Sequence, residues 1–124
     1  MRKYVIAGNW KMNMTPSQTK AFIEELAPMV KGMDKCDIVL CVPYVDIATA
    51  VEAANGTNIK IGAENVHFEA KGAYTGEISV NMLKNAGASY VIVGHSERRQ
   101  IFGETNDVCN KKLHAALSAG LKVI

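Results

Sequence analysis

The sequence predicts an α/β fold built on a parallel sheet. Three observations carry this reading. Short, almost entirely apolar and β-branched runs recur along the chain, as strands covered on both faces require. The segments between them repeat their apolar residues at helical spacing and have readable ends. Strand and helix alternate in the order βαβαβαβα followed by β, which gives parallel pairing through right-handed crossovers. An open doubly wound sheet and part of a (β/α) barrel both satisfy that order. Nothing like G-x-G-x-x-G follows the first strand, so a dinucleotide-binding version has no support.

Each element has its own signal. Tyr4 to Gly8 is the first apolar run, closed by glycine. Thr15-Pro16-Ser17-Gln18 is a capping box with proline at the first helical position, and Ala21, Phe22, Leu26, Met29 and Val30 recur behind it. Asp37 to Val42 is the second strand, ended by Pro43. The second helix follows Pro43-Tyr44, with Ile47, Ala48, Val51 and Ala54 on one face and Asn55-Gly56 as its stop. Ile59 to Ala63 is the third strand, and the stretch from Glu64 to Ile78 is a connection of about fifteen residues, longer than compact domains usually need. Ser79 caps a helix over Val80 to Ala86 that Gly87 stops, and Tyr90 to Gly94 is the fourth strand. Thr105 or Asn106 caps a last helix carrying Cys109, Leu113, Ala116, Leu117 and Gly120 on one side, before Leu121 to Ile124 opens a fifth strand.

Composition narrows the function classes. The chain has 124 residues, 48% hydrophobic and 21% charged, which reads as one globular domain over 1–124. Its formal charge of +2 is too even to point to nucleic acid or a membrane surface. Cys36, Cys41 and Cys109 lack metal-type spacing and form no disulfide framework; Cys41 and Cys109 fall on apolar faces and read as buried thiols. The apolar run after Met1-Arg2-Lys3 is too short for a signal peptide, so a cytoplasmic location is the expectation, with no metal and no organic cofactor.

Ligands of parallel sheets and βα barrels bind at the carboxyl ends of the strands. The first strand ends in Gly8-Asn9-Trp10-Lys11, and the fourth in Gly94-His95-Ser96-Glu97. Asn9 and Lys11 are two apart and point to one side of an extended chain, placing Lys11 to meet an anion or an enolate-like oxygen. His95 opens a segment that turns into a helix near Ser96. The partial positive charge of a helix start disfavours the imidazolium and leaves a neutral ring able to donate to a carbonyl. Asn, Lys and His converge at one end of one sheet, whereas His67 and His114 read as structural.

These residues sit in long stretches that resemble one family. Gly8-Asn9-Trp10-Lys11-Met12-Asn13 resembles the first-strand signature of the triosephosphate isomerases. Gly72-Ala73-Tyr74-Thr75-Gly76-Glu77-Ile78-Ser79 resembles their third-loop signature. Tyr90 to Arg99 resembles their fourth-strand signature, continued by Phe102-Gly103-Glu104-Thr105. The resemblance implies a (β/α)8 TIM barrel, of which this chain is the N-terminal half, and the interconversion of dihydroxyacetone phosphate and glyceraldehyde 3-phosphate. It implies that His95 polarises the substrate carbonyl, that Lys11 stabilises negative charge, and that Asn9 lines the pocket. Glu97 joins them in an ion-pair network. The long loop becomes a dimer loop that sends Thr75 into a neighbouring subunit, braced by Glu77 and Arg98. Two small departures, Glu64 where the family often has Gln and Val80 where Pro is common, are expected to lie outside the chemistry.

A barrel of this type needs about 250 residues. The chain is therefore expected to be a piece truncated inside the fifth strand, without the family's glutamate base, lid or phosphate loops, and inactive alone. The alternative is an isolated half-barrel module that works by self-association or with a complementary half.

Overall fold

A computed structural model of the chain describes residues 2–124. In chain order its elements are β1 (Tyr4–Asn9), α1 (Pro16–Val30), β2 (Cys36–Val42), a 3-10 turn (Tyr44–Asp46), α2 (Ile47–Ala54), β3 (Ile59–Ala63), α3 (Val80–Ala86), β4 (Tyr90–Val91), α4 (Ser96–Gln100), α5 (Asn106–Ser118) and β5 (Lys122–Val123). The strands form one sheet in the order β1-β2-β3-β4-β5, every neighbouring pair parallel.

This order decides between the two architectures. A doubly wound sheet reverses strand order at a switch point and carries helices on both faces; here the order never reverses. Ile23 of α1, Ala50 of α2, Leu83 of α3 and Ala116 of α5 share one core with Leu40, Val42, Ile61 and Val91 of the strands. The opposite face has its own small cluster of Val39, Cys41, Tyr90 and Ile92, to which no helix contributes. Helices outside, strand side chains inside, and sequential parallel order make a curled half-barrel. The inner face is tight: Gly62 pairs with Cys41 and Tyr90, and a Cβ there would lie 2.9 Å from the Tyr90 Cβ and 3.0 Å from the Cys41 Sγ.

The predicted caps form. The Thr15 hydroxyl accepts from the Gln18 N–H while the Gln18 side chain accepts from the Thr15 N–H. Ser79 accepts from Met82 N–H, Thr105 from Val108 N–H, and Gly87 closes α3 at φ 100°. Three helix faces differ from expectation. In α1 the buried residues are Thr19 and Ile23; Met29 is exposed, and Phe22 packs edge-on against Trp10 with ring centroids 5.2 Å apart. Thr19 tolerates burial because its hydroxyl donates to the Thr15 carbonyl. In α2, Ala50 rather than Ala48 faces the core. In α5, Lys112 is buried and Leu117 is exposed. Regular β4 ends at Val91 rather than Gly94, although Ile92 N–H still donates to Ala63 O and Val93 N–H to Ile124 O.

Candidate active site

The carboxyl ends of β1 and β3, the residues after β4 and the start of α4 enclose a cleft of about 300 Å³. Asn9, Lys11, His95 and Glu97 all line it, with Arg98, Glu64, Tyr44 and Phe102. Asn9 is the last residue of β1, and its Oδ1 accepts from the Lys11 N–H at 3.0 Å. That bond belongs to a sharp bend: Lys11 has φ 56°, a left-handed backbone that is unfavourable for a side chain this long. The bend delivers the Lys11 ammonium to Glu97, with Nζ 2.7 Å from Oε1. The Lys11 hydrogen bond and charge hold the Glu97 carboxyl below its ordinary range.

His95 is the cap residue of α4, and its Nδ1 accepts the Glu97 backbone N–H at 3.1 Å. A ring nitrogen that accepts a backbone N–H carries no proton, so the neutral imidazole has its proton on Nε2. The expected helix start is therefore present, and the backbone bond fixes the tautomer. The arrangement offers a neutral N–H donor, a cation and an amide around one cleft.

Behind the cleft lies a network that sequence reasoning did not find. The Glu104 side chain is only 6% exposed and accepts from both Arg98 Nε and Lys112 Nζ, the latter at 2.9 Å. Lys112 Nζ also donates to Asn65 Oδ1 at 2.8 Å. Glu104 stood inside a recognised motif, but nothing in its neighbours shows that its side chain is covered. Glu64 requires a correction. It was expected outside the chemistry, yet it lines the cleft, and its Oε1 is shut off from solvent without a hydrogen-bond partner.

The long loop is organised from within. His67 N–H donates to Ile78 O, and the His67 ring lies against Phe68 and Tyr74 with centroids 4.5 Å and 4.4 Å away. Thr75 is exposed and is not among the residues that line this chain's cleft. Glu77 approaches His67, with Oε2 3.6 Å from Nδ1, while Arg98 goes to Glu104; the two are not partners of each other. Among the described residues no three His, Cys, Asp or Glu side chains converge to hold a metal ion, and no helix is long and apolar enough to cross a membrane.

Sequential parallel strands, helices on the outer face and polar side chains gathered at the strands' carboxyl ends place the chain among the (β/α)-barrel folds. A family model described as triosephosphate isomerase matches residues 4–124. The triosephosphate isomerase of Thermoanaerobacter pseudethanolicus is 53% identical over 124 residues, 100% of this chain and 50% of the relative. That of Clostridium botulinum strain Loch Maree is 52% identical over 121 residues, 98% of this chain and 48% of the relative. The crystal structure of triosephosphate isomerase from Bartonella henselae superposes with a TM-score of 0.91 at 40% identity, covering 98% of this chain and 50% of that one. The chain belongs to the triosephosphate isomerase family, and it spans about half the length of the curated relatives it matches.

Proposed function

We propose that this chain carries one part of the site that interconverts dihydroxyacetone phosphate and glyceraldehyde 3-phosphate through an enediolate, a step of glycolysis and gluconeogenesis in the cytoplasm. The supporting observation is the pairing of His95 and Lys11 across one cleft. With Nδ1 committed to the Glu97 N–H, His95 has Nε2–H to donate to a substrate carbonyl. Donation from a neutral ring polarises the carbonyl without placing a second full positive charge beside Lys11. The Lys11 ammonium offsets charge that develops on the enediolate oxygen and attracts the phosphorylated substrate. Asn9 holds the bend that aims it.

Proton abstraction from carbon needs a free carboxylate. Glu97 is engaged with Lys11 at 2.7 Å, which argues against that role. A positioned base contributes about 10² to 10⁴ in rate. We therefore read 1–124 as one domain that corresponds to the N-terminal half of a barrel and has no meaningful activity alone. In the intact enzyme the exposed Thr75 tip would enter a partner's site in a homodimer, with Glu77 and Arg98 bracing the loop and the fourth strand. A second reading, a half-barrel that functions by assembly, draws support from β1, where Tyr4 is 76% and Ile6 63% exposed.

The test is turnover of triose phosphate by the purified chain and by the chain joined to the C-terminal half of a relative. The joined protein is expected to turn over and to lose at least about 10²-fold with His95→Gln, while the chain alone stays at background. Turnover by the chain alone that His95→Gln abolishes overturns the inactivity; a joined, folded protein without turnover overturns the assignment.

A further inference from the structure

We propose that the amino end of the sheet's inner face is a binding site for a small phosphate-type oxyanion, held by Lys3, Lys60 and Lys122. The site lies at the opposite end of the sheet from the cleft and does not depend on the cleft's activity. Its placement follows from register. Paired residues of neighbouring parallel strands share a face, and residues two apart in a strand return to it. Lys60 pairs with Val39 and Lys122 with Tyr90, and both of those partners belong to the inner cluster. Asp37 stands two before Val39 and pairs with Val5. Lys3, two before Val5, reaches the same carboxylate.

This layer holds more positive charge than its one acid can meet. Asp37 already has two close partners, Lys3 Nζ 3.0 Å from Oδ1 and Tyr90 OH, which donates to Oδ2 at 2.7 Å. Lys60 and Lys122 stop at 3.7 Å and 3.6 Å, drawn in by the carboxylate but beyond hydrogen-bond length. Among the described residues, none of the three lysines has another carboxylate within ion-pair distance. Three ammoniums against one carboxylate leave a surplus of two charges. Like charges on adjacent strands repel, and a register lock needs no more than one lysine for its carboxylate. The surplus matches a phosphate group, which brings about two negative charges and three acceptor oxygens. Such a group accepts from the N–H donors that Asp37 leaves free. The floor beneath is dry, with Val39 1% and Tyr90 2% exposed, which strengthens the attraction over that in open water. The Lys60 and Lys122 side chains are themselves 43% and 61% exposed, so a solute can reach them.

The test is a titration of sodium pyrophosphate into the 124-residue chain carrying Lys11→Met, which removes the cleft's own ammonium. Backbone amides are followed by NMR at an ionic strength of about 10 mM, where screening is weak, with sodium chloride at matched ionic strength as the reference. Saturable shifts are expected at Asp37, Lys60, Tyr90 and Lys122, while the Leu83 and Ala116 amides stay in place. Lys60→Gln and Lys122→Gln should each weaken binding by at least about fivefold. Lys122→Arg should retain it, and Lys20→Gln, in the exposed pair with Glu24, should leave it unchanged. If Lys122→Gln displaces the Leu83 and Ala116 amides, Lys60→Gln provides the reading. Shifts no larger than those from chloride overturn the proposal, as does undiminished affinity in Lys60→Gln. So do saturable shifts confined to Asn9 and His95. None of these signals depends on turnover. A joined protein that is inactive would fail the functional reading and leave this site standing.

Discussion

Replacing Lys112 with Met tests the buried network behind the cleft. The Lys112 side chain is 4% exposed and that of Glu104 6%, so neither charge has water to return to. Removing one partner of a buried ion pair costs about 3–5 kcal/mol, because the other charge is stranded. Here Arg98 still holds Glu104, which pulls the cost toward the low end. Asn65 Oδ1 loses its donor, which adds about 1 kcal/mol. Met restores most of the lost volume, so Lys112→Met should destabilise by about 3 kcal/mol, a large share of the 5–15 kcal/mol of an ordinary domain. The exposed pair Lys111–Asp107, 3.2 Å apart, supplies the control: Lys111→Met should cost no more than about 0.5 kcal/mol. Adding Glu104→Gln to Lys112→Met removes the stranded charge, so the double variant should be more stable than the sum of the singles by about 1–2 kcal/mol. Burial alone would raise Glu104, but its bonds to Arg98 and Lys112 outweigh that and hold it below 4.5. A depressed carboxyl stabilises the fold fully above its unfolded value and loses that contribution as pH falls through the folded value. The Lys112→Met penalty should therefore be complete at neutral pH and shrink in acid. Urea unfolding followed by Trp10, the single tryptophan, measures all of this. A Lys112→Met cost below about 1 kcal/mol, or an additive double variant, would refute the reasoning.

Gly87→Ala should destabilise more than Gly76→Ala in thermal melts: both have positive φ, but a Cβ at Gly87 meets Val51 Cγ1 at 2.6 Å, whereas nothing lies within 4 Å at Gly76. Strain alone should cost about 1 kcal/mol and the clash about 1–3 kcal/mol more, so equal melting points would contradict the packing of α3 on α2. Among the thiols, Cys36 should react first with a disulfide reagent, because burial pushes Cys41 up to about 11 and Cys109 is also buried; Cys41 reacting as fast as Cys36 would count against the inner cluster. Sedimentation should show concentration-dependent association, since β1 pairs only with β2 and exposes Tyr4 and Ile6. A single monomer at all concentrations, unfolding cooperatively, would remove support for assembly at that edge.

What was legible in the sequence was local. Thr15, Ser79, Thr105 and Gly87 end their helices with residues one turn away, so contiguous sequence contains the whole device. Asn9 with Lys11, and His95 with Glu97, are each two apart, which is why the site could be named before its geometry was known. Lys112 escaped because a stripe read by hydrophobicity passes over a lysine, although 109, 112 and 116 lie on one helical face. Its partners Glu104 and Asn65 are 8 and 47 residues away, a distance that only folding closes. Glu64 escaped for the same reason. The charges that act on it, Asp46 in the turn before α2 and Glu97 in α4, are both distant from it in the chain.

The two ends of the sheet are built for different purposes. At the amino end, residues from or beside all five strands gather on Asp37. Tyr90 OH donates to it at 2.7 Å, Lys3 is 3.0 Å away, Lys122 3.6 Å and Lys60 3.7 Å. The Tyr90 hydrogen bond, then Lys3, holds this carboxyl far below its usual range. Each of these contacts crosses between strands, so a one-residue slip would break several together, and register is fixed there. At the carboxyl end, the Lys11 backbone is left-handed, Gly94 sits at φ 72°, and His95 and Glu97 border an open cleft. Strain at that end is affordable because the strands are already locked at the other. A change in the Lys11 bend alters where an ammonium points, whereas a change at Asp37 alters which strands pair. That difference is why function at the carboxyl end can vary without the sheet coming apart.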